Sequence, residues 1–396
     1  MKNLIKIFLI VTFAIFAKEI LLGLISENLP LSWPGKVLIA PIFGLKGFYL
    51  NDFFTNAILN TPQRNTANIF SFFLPNNQDI ILSTFSILTS LCKSLICSLT
   101  FFVVTIFALL INNQGKKEKI TDSSLKSNFY LIFISLALIY NFLDLARIIF
   151  QYLKFDILFE INRIIISFFF GTSFADWGFP LVDVSISPRG VALIISLIGL
   201  TIPLYFQLYR LTISTKKSQV LLFIYYIINF ISVLIHPISP LYSITLLLSL
   251  KFFIKNETPK FNYKNFLIIN LFIYLLGIAI LFHQFPQELL NNIDFYNIYV
   301  KFRHPHHYLT SFYLNPNRVE NKFLYLSLLI NIISAFYMIK ISKNKNFYKK
   351  NISLSFILCI GFLISINLVQ YFFVEIFKVN SLIKFGVSSL NPLFNF

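Results

Sequence analysis

Apolar runs long enough to cross a bilayer recur from one end of this 396-residue chain to the other. Crossing about 30 Å of hydrocarbon takes about 20 helical residues. A backbone in that medium must satisfy its own hydrogen bonds, which makes the helix the element for each run. The runs fall at roughly 4 to 25, 83 to 111, 128 to 150, 190 to 212, 218 to 236, 239 to 255, 264 to 283, 321 to 340 and 352 to 374, about nine in all. The run around Pro240 is short and the run from 83 is long, so tilting or partly interfacial placement is expected there. The expected fold is therefore all-α: one integral membrane domain over 1–396, a polytopic transmembrane helix bundle.

Composition excludes the alternatives. The chain is 57% hydrophobic and 12% charged, and its 49 Phe equal in number its Lys, Arg, Asp and Glu taken together, so a soluble core of this size could not be given a polar shell. A net charge of +17 invites a nucleic-acid reading, but that needs a basic face on a folded soluble module. Here the lysines stand in short runs between apolar segments, so no nucleic-acid partner is expected. Cys92, Cys97 and Cys359 lie inside apolar runs without metal-type spacing and read as buried thiols. Lys2 and Lys6 precede the first apolar run, Lys18 and Glu19 interrupt it, and no convincing small-residue cleavage site follows, which fits an uncleaved first span.

The lysines also orient the chain, because short positively charged loops stay in the cytoplasm. "NNQGKKEKITDSSLKS", "STKKS", "KFFIKNETPKFNYK" and "KISKNKNFYKKN" alternate with the apolar runs so that all fall on one side. With Lys2 and Lys6 on that side as well, the N-terminus is expected to be cytoplasmic and the protein multi-pass in the cell inner membrane. The outer face then receives three long loops, near 26–82, 151–189 and 284–320. The first, with "LPLSWPGKVLIAPIFGLKGFYLNDFFTN", mixes Pro, Gly, Trp and Tyr with apolar turns, as interfacial helices do.

That orientation gathers the unusual polar residues on the outer side. The first loop carries "YLNDFFTN" with Asp52, then Arg64; the second carries "FADWGFPLVDVSISPRG" with Asp176, Asp183 and Arg189; a turn between spans carries "HPISP" with His236. Each has a plain structural explanation: Asp52 as a helix N-cap, Asp176 and Trp177 as a turn with an interfacial anchor, His236 as a helix end before proline.

"FRHPHHYL" is harder to dismiss. Arg303, His304, His306 and His307 bracket a proline that breaks helical geometry, and three of the five histidines of the chain are here. Imidazole ligates zinc, copper, iron and nickel, but tetrahedral zinc wants four ligands at separated positions, which adjacent His306 and His307 do not supply. An arginine fork with further histidine donors suits phosphate or pyrophosphate. A solvated or internally paired loop is the third possibility.

The layout resembles the GT-C class of polytopic membrane glycosyltransferases, and a set of bacterial membrane proteins similar to it, on four features: Asp52 in the first outer loop, the segment "ADWGFPLVDVSISPRGVALIISLIGL", an "HP" ending a middle span, and "FRHPHHYL" in a late outer loop. The resemblance implies transfer of a sugar from a polyprenyl-phosphate lipid donor at the outer face. It implies Asp52 as general base, with Arg303, His304, His306 and His307 on the lipid phosphate and Arg64, Asp176, Arg189 and His236 as further substrate contacts. A carboxylate in a partly apolar pocket gains proton affinity, and a cationic clamp stabilises charge on the leaving phosphate. No cofactor is expected, a divalent metal being the alternative. The expected partners are membrane lipid and the lipid-linked donor. A transporter or flippase is the competing class, with Lys18, Glu19, Lys93, Asp144 and Arg147 as its intramembrane ionisable residues; a non-catalytic structural membrane protein is the third.

Overall fold

A computed structural model describes residues 2–25, 42–48, 51, 71–113, 122–159, 161–162, 165, 188–209, 215–236, 263–283, 296–297, 300–301 and 309–314, with separate positions between 329 and 340 and between 361 and 379. Six helices dominate: α1 (Lys2–Ile25), α2 (Gln78–Asn113), α3 (Asp122–Tyr152), α4 (Pro188–Tyr209), α5 (Thr215–Ile235) and α6 (Tyr263–His283). A short α7 (Thr310–Leu314) and a π-helical turn over Tyr371–Ile376 follow. Among the described residues there is no strand.

Three helical stretches are long and apolar enough to cross a membrane, Gln78–Leu109, Ser127–Ala146 and Lys217–Ile235, and two shorter apolar ones are Gly190–Leu204 and Asn265–Ile280. Their surfaces are inside out by the standards of a soluble protein. On α3, Leu131, Leu138 and Phe142 are 64–72% exposed, and α1 (Leu9, Ile10, Phe13), α5 (Phe223) and α6 (Leu271, Phe272) add to the same apolar perimeter. A continuous apolar surface of this kind is stable against lipid and not against water.

Cross-helix contacts give the directions. Lys93 meets Glu19 while Phe102 meets Phe8, so α1 and α2 run antiparallel. Phe102 meets Phe129 and Phe133 while Lys93 approaches Asp144, so α2 and α3 are antiparallel too. The Ser232 hydroxyl donates to the Ala192 carbonyl at 2.7 Å and Gly199 faces Ile228, which makes α4 and α5 antiparallel. Tyr225 contacts Phe266 and Val233 lies against Gly277, so α5 and α6 are parallel. The end of α5 and the start of α6 therefore stand at opposite ends of that pair, about 30 Å apart at 1.5 Å per residue.

Local sequence explains the helix ends. Asn77 caps α2, its side-chain oxygen accepting from the Ile80 amide at 3.1 Å, with Asp79 in the first turn where the helix dipole favours a negative charge. α3 stops at Tyr152: Lys154 takes a left-handed φ of 56° and the Phe155 amide reaches back to the Phe150 carbonyl at 2.9 Å. That six-to-one bond is the Schellman closure. A further helical turn over 156–159 exposes Ile157 and Leu158, as expected of an interfacial segment. In the first long loop the chain forms one helical turn from Ile42, which is fully buried, and Phe43 and Phe48 pack on the same core. The expected spans near 239–255, 321–340 and 352–374 fall wholly or largely outside the described residues.

Candidate functional site

The stretch that carries Arg303, His304, His306 and His307 lies outside the described residues, but both of its flanks are described. Val300 is fully buried and, with Tyr296 and Val374, forms a small core on which Leu309 packs. The chain leaves this core at Lys301 and rejoins it at Leu309. On the far flank, the Thr310 hydroxyl donates to the Asn367 carbonyl at 3.2 Å, and the Ser311 amide donates to the Glu375 carboxylate at 3.0 Å. Glu375 thus caps the start of α7 from the π-helical turn.

The turn is itself a departure from regular helix. The Phe377 amide donates to the Phe372 carbonyl and the Val379 amide to Phe373, each at 2.8 Å, and Lys378 takes a left-handed φ of 51°. Single π turns and non-glycine left-handed residues cost energy and concentrate at functional positions. Two cations result at the foot of the stretch: Lys301 Nζ lies 5.5 Å and Lys378 Nζ 5.4 Å from the centre of the Tyr296 ring. An aromatic face holds such ammonium groups without neutralising them. Burial, and then the negative charge of Glu375, push the Tyr296 phenol above its ordinary pKa of 10.0, so it stays a neutral hydroxyl near neutral pH.

Of the other expected site residues, Asp52, Arg64 and Asp176 lie outside the described residues; Asn51, which Asp52 follows directly, is described and exposed. Arg189 is in the first turn of α4. His236 follows the last residue of α5, is 6% exposed, and its amide donates to the Ser232 carbonyl at 3.0 Å. Because Ser232 is bonded to Ala192, Arg189 and His236 stand at the same end of the α4–α5 pair.

A second polar site lies inside the bundle. Lys18 Nζ is 2.5 Å from Asp144 Oδ2 and 3.1 Å from Glu19 Oε1; Lys93 Nζ is 2.8 Å from Glu19 Oε2 and 3.7 Å from Asp144 Oδ2. Two ammonium groups and two carboxylates from α1, α2 and α3 close a charge-balanced ring. All four side chains are strongly buried, Asp144 most of all at 2% exposed. Lys18 also stands 4.9 Å from the centre of the Tyr140 ring, and Tyr140 and Cys97 are hydrogen-bond partners beside it. Glu19 is six residues from the end of α1 and Asp144 eight from the end of α3, about 9 to 12 Å in depth.

The sequence flags Lys18 with Glu19, Lys93 alone, and Asp144 with Arg147 three residues on; the convergence of Lys18, Glu19, Lys93 and Asp144 is a finding of the fold. Asp144, spaced three residues from Arg147 on its own helix, is paired with Lys18 across helices. Tyr296, Lys301, Glu375 and Lys378 are not among the expected residues. Lys301 directly before "FRHPHHYL" was the available signal, whereas nothing in "QYFFVEIFK" announces a π turn. Comparison with known proteins finds no match to any family model, any curated protein or any solved structure.

Proposed function

We propose that the chain is a nine-span inner-membrane glycosyltransferase of GT-C type, transferring a sugar from a polyprenyl-phosphate donor at the outer face. The observation that carries this is the shared core of Tyr296, Val300 and Val374 on which the flanking Leu309 packs, with Lys301 and Lys378 held at the Tyr296 ring beside it. Parallel α5 and α6 support a membrane crossing between them, and so the nine-span count.

In the proposed step Asp52 accepts the proton of the acceptor hydroxyl as its oxygen bonds to the anomeric carbon of the sugar. The bond from that carbon to the phosphate oxygen breaks, and the lipid phosphate departs carrying the electron pair. Arg303, His304, His306 and His307, with Lys301 and Lys378, compensate the charge on that phosphate. Arg64, Asp176, Arg189 and His236 bind the sugar and acceptor. Ile42 and Phe48 pack on the helix core in the segment that leads to Asn51 and Asp52.

The test is turnover of polyprenyl-phosphate-linked sugar in membranes carrying the wild type, Asp52→Asn and Arg303→Ala. Loss in Asp52→Asn, with retained binding of polyprenyl phosphate, and weakened binding in Arg303→Ala are the expected results. Unchanged turnover in both, at equal expression, refutes the proposal. The buried four-charge ring favours one other reading, an ion-coupled transporter, for which Glu19→Gln would abolish solute uptake into proteoliposomes while Asp52→Asn would not.

A further inference from the structure

We propose that one face of α2 lines a water-filled crevice that opens at the outer end of the bundle and terminates just past the Lys18–Glu19–Lys93–Asp144 ring, giving that ring proton exchange with outside solvent. At 100° per residue, Asp79, Ser86, Thr89, Ser90, Lys93, Cys97 and Thr100 share an arc of about 100° on α2. Leu82 is the one apolar side chain on that arc between Asp79 and Thr100, and it is half-buried; beyond Thr100 the same arc continues as Val104 and Phe107. The polar face thus starts at the exposed Asp79 and gives way to apolar groups beyond Thr100.

The hydroxyls themselves point to water. A serine or threonine in an apolar helix ordinarily satisfies its hydroxyl on a carbonyl of the preceding turn, as Ser90 does on Ser86 and Thr105 on Phe101. Ser86 Oγ, Thr89 Oγ1 and Thr100 Oγ1 are buried and have no hydrogen-bond partner among the described residues. Ser86, Thr89 and Thr100 are 1–4% exposed. Buried polar groups are seldom orphaned, and ordered water is the usual partner where protein supplies none. A file of water along Ser86 and Thr89 to Lys93, reaching Thr100, satisfies all three hydroxyls at once.

Two native thiols provide the test. Cys97 lies on the polar arc and Cys92 lies outside it, both buried. In lipid nanodiscs, infrared spectra after transfer to D2O follow S–H to S–D exchange with a water-sized probe. Cys97, isolated in Cys92→Ser/Cys359→Ser protein, is expected to exchange at least about tenfold faster than Cys92 isolated in Cys97→Ser/Cys359→Ser protein. Exchange of Cys97 no faster than that of Cys92 overturns the proposal. Direction is tested separately: Ser86→Ala/Thr89→Val slows Cys97 exchange several-fold, whereas Thr100→Val leaves it unchanged. A larger effect from Thr100→Val places the entrance on the wrong side and overturns it too.

Discussion

Removing Asp144 is the sharpest perturbation of the bundle. Its carboxylate makes two of the four ion contacts of the buried ring, to Lys18 and Lys93, and is 2% exposed. In Asp144→Ala two lysines face the single carboxylate of Glu19, and one positive charge is left without compensation among apolar helices. Breaking one partner from a buried ion pair costs about 3–5 kcal/mol, because the stranded charge stays desolvated. Lys18 is the nearer partner, so Asp144→Ala/Lys18→Met removes both ends and leaves Lys93 with Glu19. The double variant is expected to recover at least about half of the loss, since replacing a buried pair by apolar groups is often close to neutral. Reversible unfolding in mixed micelles of the wild type, the two single variants and the double variant gives the cycle directly. A loss under about 1 kcal/mol for Asp144→Ala, or strictly additive single variants, would refute the ring as a coupled unit.

Three further outcomes follow from the contacts. A Cβ on Gly277 would stand 2.5 Å from Val233 Cγ1, so Gly277→Ala is expected to destabilise the α5–α6 crossing by about 1–3 kcal/mol and Val233→Ala to relieve it, read as thermal stability in detergent. Asn270 accepts from the Tyr225 hydroxyl at 2.7 Å and the Asn229 amide at 2.9 Å; Asn270→Leu strands both donors and should cost about 1–2 kcal/mol in the same assay, the upper range for hydrogen bonds between membrane helices. The Tyr296 pKa is raised in the folded protein, so its contribution is complete below the unfolded tyrosine value of about 10 and is lost as pH rises through the higher folded value. Tyr296→Phe should flatten the fall in stability above about pH 10, measured as unfolding temperature against pH.

Much of the helix layout was legible because hydrocarbon thickness leaves a strong mark on sequence. The six long helices begin and end within a few residues of the apolar runs, except where polar first turns such as "QDIILS" extend α2 beyond the run. The ring was visible only as separate charges. Its assembly depends on the register of α1 against α2 and α3, which is set by packing such as Phe102 on Phe8, Phe129 and Phe133. The foot of the Arg303–His307 stretch was hidden for a different reason. Tyr371–Ile376 has the apolar pattern of continuous helix, with no Gly or Pro to mark the π turn, so tertiary contacts from Val300 and Leu309 supply the information.

The proposed catalytic centre requires Asp52 and Arg303 to face one compartment. Single cysteines placed at residues 52 and 305, in a cysteine-free background that retains activity, and treated in intact cells with a membrane-impermeant thiol reagent, test that requirement directly. Labelling at both positions from outside, with cysteines at residues 116 and 345 protected, is the predicted result. Labelling of one of the pair and protection of the other would contradict it.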